Sequence, residues 1–280
     1  MGTDNGTGWE RDYRTHFDKI VVNYDKVRWD YPDELFADAI RYSGKGNGKQ
    51  ALEIGAGTGK ATTPFLDAGY AVTAVEMGEN MSDFLLDRFK GYASFEVITS
   101  TFEDAPLEND SYDLIYAASA FHWVDAEIGC PKVLRLLKRG GAFVLFRNNA
   151  VPDDNDELYA DVQAEYEQHY YSYYKLDSRP VKISRMTEED FRKPTEIYRG
   201  FRFESLEQYG FKDVTMKLYD AMQIYNADEY IGLLETYSDH RALPDNNREA
   251  LYSGIKEAIN KHGGQQKLNF IFQLYMGRKE

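Results

Sequence analysis

The chain has 280 residues, enough to bury a sizeable core in one large α/β domain or two small ones. Its 33 Lys and Arg against 47 Asp and Glu leave a formal charge of −14, which repels phosphate backbones; with no dense Lys/Arg run, nucleic acid is not an expected partner. One cysteine, Cys130, excludes an intramolecular disulfide framework and a cysteine-rich metal centre.

Met1–Gly6 lacks the basic and apolar regions of a secretory signal, and no apolar run approaches a membrane span. The expected compartment is the cytoplasm, with no membrane partner. His16 to Tyr42 reads as two helical pieces broken at Pro32, with Leu35, Phe36, Ala39 and Ile40 as an apolar stripe on the second. Gly44–Gly48 is a glycine-rich loop. Strands are then expected at Gln50–Ile54, Ala71–Val75 (closed by Glu76), Ser94–Ile98, Tyr112–Ala117 and Ala142–Phe146. Helices are expected between them at Lys60–Ala68, Met81–Phe89 and Ile128–Leu137. This alternation predicts a parallel sheet covered on both faces.

Beyond it the pattern changes. Asp156–Tyr174 reads as one helix with Leu158, Val162, Tyr166, Tyr170 and Tyr173 on a face. A strand is expected at Phe211–Tyr219, helices at Asp228–Tyr237 and Asn247–Lys261, and a last strand at Lys267–Met276. The expected division is a helical segment 1–45, a core of 46–150, 206–222 and 265–280, and helical insertions 151–205 and 223–264 that cap the strand ends.

The stretch Ala51-Leu52-Glu53-Ile54-Gly55-Ala56-Gly57-Thr58-Gly59-Lys60 joins a buried strand to a helix through three glycines at alternate positions. Such a turn brings backbone close to a ligand, because glycine has no Cβ and accepts positive φ. It also offers backbone N–H groups to a polar or acidic ligand. Glu76, about 20 residues on at the end of the next strand, can accept both hydroxyls of a ribose, and the pair is a nucleoside-binding signature. The spacing is G-x-G-x-G, so the third glycine comes one place earlier than in a dinucleotide fingerprint.

The pattern E-x-G-x-G-x-G, with Glu53 leading it and Glu76 following, resembles the first two motifs of class I S-adenosylmethionine-dependent methyltransferases. Pro106–Ile115 is similar to that family's approach to its fourth strand. Leu137-Lys138-Arg139-Gly140-Gly141 is similar to its L-K-P-G-G turn, with Arg139 in place of proline. Phe121-His122-Trp123, with Tyr24, Arg28, Tyr31 and Pro32 upstream, resembles a small-molecule branch that includes trans-aconitate methyltransferase-like proteins. The resemblance implies a Rossmann-like, doubly wound, mostly parallel seven-stranded α/β sheet. It also implies S-adenosylmethionine as cofactor, S-adenosylhomocysteine as product and a small-molecule acceptor.

By that resemblance Gly55, Gly57 and Gly59 line the methionine and ribose moieties, and Glu53, Ala56 and Thr58 are further cofactor-binding residues. Glu76 holds the ribose and Met77 packs on adenine. Thr101 stands where the family has an acidic acceptor of the adenine amino group, so either Thr101 or Glu103 takes that bond, with Phe102 between them. Tyr24 and Arg28 are carried over as cofactor contacts. Ala118, Ser119 and His122 lie at the fourth strand's end, where open α/β sheets bind ligands. His122 is either a general base, a hydrogen-bond partner, or a brace for its loop.

Tyr31, Trp123, Tyr170, Tyr237, His240 and Arg241 are the candidate substrate pocket. The phenols either wall it or pack the insertion, and Thr236–Arg241 either recognises a carboxylate or hydroxyl or caps a helix. No H-x-x-H, H-E-x-x-H or Asp-rich loop is present, so no metal is expected. The function expected is methyl transfer to a small molecule. The alternatives are a non-catalytic S-adenosylmethionine-binding regulator and a macromolecule methyltransferase. Oligomeric state is not legible in the sequence.

Overall fold

The computed structural model describes residues 10, 14–15, 17–18, 20–44, 49–152, 156–176 and 203–280. The loop at 45–48 and much of the insertion at 151–205 lie outside the described residues.

Seven strands form one sheet in the order β3-β2-β1-β4-β5-β7-β6. They are β1 (Gln50–Ile54), β2 (Ala71–Glu76), β3 (Phe95–Thr99), β4 (Tyr112–Ala118), β5 (Leu137–Pro152), β6 (Lys212–Asn226) and β7 (Gln265–Arg278). The pairs β1/β2, β2/β3, β1/β4 and β4/β5 are parallel. Glu53 stands opposite Ala74 and Tyr116, Glu76 opposite Thr99, and Ala118 opposite Phe146. This register brings the C-terminal ends of five strands to one edge, where Gly55, Met77, Ser100 and Ser119 follow.

The chain divides into two compact units. A sheet unit comprises 30–149, 186–220 and 271–280; a helical unit comprises 1–29, 150–185 and 221–270. The sheet unit holds helices α2 (Asp33–Ser43), α3 (Thr62–Asp67), α4 (Glu79–Arg88) and α5 (Ala126–Leu136). Its strands β1 and β2 are apolar runs buried almost throughout, as a parallel sheet covered on both faces requires. One aromatic layer joins Phe65 to Tyr116 at 4.2 Å and to Phe36 and Phe146; a second joins Phe143 to Phe121 and Phe211 at 5.0 and 5.2 Å. Such pairs add about 0.5–1.5 kcal/mol each beyond their area burial.

The helical unit holds α1 (Val21–Val27), α6 (Asp156–Tyr166), α7 (Ser172–Tyr174), α8 (Ala227–Leu234), α9 (Ser238–Ala242) and α10 (Asp245–Lys261). Its core gathers Leu158, Val162, Tyr170, Tyr171, Leu234, Leu251, Tyr252, Ile255 and Ile259. Asn226 and Glu229 form a reciprocal capping box that starts α8.

Several elements differ from the sequence pattern; the strand expected at Phe211–Tyr219 runs from Lys212 to Asn226, into the segment expected to be helical. The helix expected from Lys60 begins at Thr62 and is six residues long, because Gly59 and Thr62 close turns onto Ala56 and Gly59 instead. The strand expected at Ala142 begins at Leu137: Gly140, at φ +78°, sits inside the strand, and the register shifts between Tyr112 and Leu114. The single helix expected over Asp156–Tyr174 is interrupted by a π-helical turn at Glu167–Tyr171. Tyr170 and Tyr171, both within that turn, are buried.

Candidate active site

The glycine turn leaves β1 with the Gly55 N–H still donating to Val75 O at 2.8 Å, so its start is fixed by the β1–β2 ladder. All three glycines have positive φ. Their surroundings differ. A Cβ on Gly55 meets Ala120 at 2.6 Å, and one on Gly59 meets Phe89 at 2.4 Å, whereas one on Gly57 meets nothing within 4 Å. Packing therefore demands glycine at the first and third positions. At Gly57 the chain turns through φ +57° beside open space.

Glu76 closes the turn from β2. Its Oε2 accepts the Gly57 N–H at 2.8 Å and its Oε1 the Gly78 N–H at 3.0 Å. Both carboxylate oxygens thus hold the backbone of the segments that flank β2's end. Met77, the next residue, is half-buried.

Beneath the turn Glu53 is fully buried. Its Oε2 accepts the Thr62 hydroxyl at 2.5 Å and the Tyr116 hydroxyl at 2.9 Å. Its Oε1 and the buried Thr58 hydroxyl have no hydrogen-bond partner among the described residues. Burial pushes the Glu53 carboxyl up to about 7, against the opposing pull of those two hydroxyls, and the nearby Glu76 raises it further. Burial also holds the Tyr116 phenol well above its ordinary value, with Glu53 adding to the effect.

The segment after β3 is locally closed. The Thr101 hydroxyl donates to Asp104 Oδ2 at 2.7 Å and accepts the Asp104 N–H at 3.2 Å. Phe102 is buried, and Lys132 reaches from α5 to donate to the carbonyls of Glu103 and Ala105 at 3.1 and 2.8 Å. Lys132 therefore fixes the position of this loop.

At the end of β4, Ser119 holds φ +53°, a left-handed conformation uncommon for a side chain that carries a Cβ. Its hydroxyl accepts from Tyr31 at 3.0 Å, and its N–H donates to Phe146 O at 2.9 Å. Ala118 and Ser119 are half-buried. Phe121–Trp123 forms one 3₁₀ turn: Phe121 is buried, while His122 is exposed with its ring 5.1 Å from Trp123.

The other expected site residues lie in the helical unit. Arg28 places its guanidinium 4.9 Å from the Tyr24 ring and 4.8 Å from those of Trp29 and Tyr237, and donates to Thr236 O at 2.9 Å. His240 is buried among Tyr166, Tyr170, Tyr237 and Tyr252. Its Nε2 lies 3.1 Å from the Tyr166 hydroxyl, and burial lowers its pKa. Tyr170 donates to Asp239 Oδ2 at 2.5 Å, and Tyr174 to Asp239 O at 2.7 Å. Arg241 is half-buried. Thus Tyr24 and Arg28, expected with the cofactor, share a group with Tyr237, expected with the substrate.

Tyr116, Thr62, Lys132 and Tyr252 were not legible as site or supporting residues. Tyr116 lies in an apolar strand, Lys132 reads as a surface charge on an amphipathic helix, and Tyr252 falls on an apolar helical face. For Tyr116 the register with Glu53 is the only signal, and it requires the sheet. Among the described residues no group of three or more His, Cys, Asp or Glu is placed to hold a metal ion, and no helix is long and apolar enough to cross a membrane.

Residues 52–145, which include the glycine turn, Glu76 and the ends of β3 and β4, match the family model described as "Methyltransferase domain". This stretch is similar to a methyltransferase domain. An uncharacterized methyltransferase of Mycobacterium tuberculosis is 34% identical over 138 residues, 49% of this chain and 54% of that protein. The chain thus spans about half the length of the first curated relatives it matches. An uncharacterized methyltransferase of Schizosaccharomyces pombe is 24% identical over 87% of this chain and 86% of its own.

Among solved structures, a candidate type II methyltransferase from Anaeromyxobacter dehalogenans superposes with a TM-score of 0.60 at 18% identity, over 90% of this chain and 97% of that one. A Haemonchus contortus phosphoethanolamine N-methyltransferase, solved with phosphomonomethylethanolamine and S-adenosylhomocysteine, gives 0.52 at 15% identity, over 96% of this chain and 59% of that one. At such identities the likeness is one of fold, and it is the methyltransferase Rossmann-like α/β fold.

Proposed function

We propose that the chain transfers a methyl group from S-adenosylmethionine to a small-molecule acceptor. The observation that carries this reading is the Gly57 N–H bonded to the Glu76 carboxylate beside open space, inside the stretch that matches the methyltransferase domain. In this reading Glu76 receives the ribose hydroxyls, Met77 the adenine, and the backbone from Gly55 to Gly59 the methionine chain. Arg28 is the candidate for a carboxylate, since it carries a permanent charge and its Nε is buried with no hydrogen-bond partner among the described residues.

When bound, the cofactor supplies an electrophilic methyl group, so the protein's part is alignment and exclusion of water. Ser119 and Tyr31 offer a hydroxyl pair at the end of β4 to orient the acceptor. In this reading His122, exposed on the neighbouring turn, takes a proton where the acceptor must lose one. A carboxylate acceptor needs no such base. In the helical unit, Tyr170, Tyr237, His240 and Arg241 are the candidates for acceptor recognition. The charge of −14 supports a small molecule over a nucleic acid.

The test is incubation with methyl-labelled S-adenosylmethionine and a fractionated cell extract. Label is expected in the low-molecular-weight fraction and absent when heat-denatured protein is used. Label confined to protein or nucleic acid would overturn the small-molecule assignment.

A further inference from the structure

The Gly57 N–H of the glycine turn is bonded to Glu76, whereas Glu53 takes the Thr62 hydroxyl at the turn's far end. Glu53 is fully buried, and among the described residues the groups that face it are neutral or of like sign. Tyr116 faces it from β4 and Thr62 from α3, each donating to Oε2; Glu76 faces it from the end of β2. Among the described residues no cation contributes to its electrostatic surroundings. The second oxygen, Oε1, is buried with no partner among the described residues. Burial without a counter-charge favours the protonated acid, and a carboxylic acid with one oxygen fixed by two donors has a single place for its proton.

We propose that Tyr116 and Thr62 are positioning residues that leave Oε1 of Glu53 as the proton-bearing atom of the turn, and that arrival of the cofactor's positive charge expels that proton to solvent. This rests on the S-adenosylmethionine reading. The step is one ionisation: the acid O–H of Glu53 breaks, its electron pair stays on the carboxylate, and the proton goes to buffer. Binding is therefore tighter at higher pH, in a window set by Glu53 rather than by the ligand.

The experiment is titration of the full chain with S-adenosylmethionine at pH 6.5, in phosphate and in imidazole buffer. The apparent enthalpy is expected to differ between buffers by the release of roughly three-quarters of a proton, the fraction carried at that pH by a group titrating at about 7. Glu53→Gln should bind with no buffer dependence. Tyr116→Phe, which removes one donor to the carboxylate, should move the pH midpoint of binding upward. Equal enthalpies in both buffers with binding intact would overturn the proposal and leave the cofactor reading standing. Absence of binding at every pH would overturn both. A Tyr116→Phe chain whose binding follows the wild-type pH profile would remove Tyr116 from the positioning role.

Discussion

The backbone N–H of Gly57 donates to the carboxylate of Glu76 at 2.8 Å, across 19 residues of chain. The two halves of the nucleoside signature are therefore joined by the chain's own hydrogen bond, which fixes the shape of the turn. Preorganisation of this kind lowers the ordering cost of binding.

Glu76→Ala removes this strap and the expected ribose acceptor together. Affinity for S-adenosylhomocysteine should fall by about 1.5–3 kcal/mol for each charge-assisted bond lost. Glu76→Gln, which keeps one oxygen to accept, should lose less. Calorimetric titration of the three chains checks the order, and equal affinities would remove Glu76 from the site.

Gly57 and Gly59 should fail in different ways. A Cβ at Gly57 has no neighbour within 4 Å, so Gly57→Val should fold, at a backbone cost of about 1–3 kcal/mol for the left-handed conformation, and lose cofactor binding by obstruction. A Cβ at Gly59 collides with Phe89 and Leu85, so Gly59→Ala should lower the melting temperature more than Gly57→Ala does. Thermal melts and titrations on the same samples separate the two. A folded Gly57→Val chain of wild-type affinity would mean that the ligand lies elsewhere.

Glu53 and His240 tilt stability in opposite directions with pH. Burial raises Glu53 from an ordinary 4.5 to about 7, so between those values the folded chain keeps a proton that the unfolded chain has lost. Its contribution is complete below the lower value and disappears as pH rises through the upper one. That loss amounts to about 3 kcal/mol at 1.36 kcal/mol per pH unit. Burial lowers His240 below its ordinary 6.5, so below that pH the unfolded chain binds the extra proton and acid destabilises the fold. Urea midpoints across pH 4 to 8 should show Glu53→Gln flattening the fall toward neutrality, and His240→Gln flattening the acid limb. Two variants with the wild-type profile would contradict both assignments.

The strands were legible because β1, β2 and β4 are short apolar runs ending at glycine, acidic or small residues, and parallel strands buried on both faces must read that way. The glycine turn and Glu76 were legible because spacing alone carries them. The limits of β5 were not: Gly140 and Gly141 look like a turn, and only the pairing of Leu137 with Tyr112 reveals strand on their far side. The π turn at Glu167–Tyr171 was hidden because periodicity assumes 3.6 residues per turn. Glu53's partners were hidden for a different reason. Tyr116 lies 63 residues away in sequence, and its hydroxyl meets the carboxylate only through the β1–β4 register.

The most direct test of the account is a parallel titration of the full chain with S-adenosylhomocysteine and with NAD. The G-x-G-x-G spacing and the Gly57–Glu76 bond predict saturable binding of S-adenosylhomocysteine, weakened in Glu76→Ala, and no heat from NAD beyond dilution. Saturable binding of NAD, or S-adenosylhomocysteine bound equally well by wild type and Glu76→Ala, would contradict it.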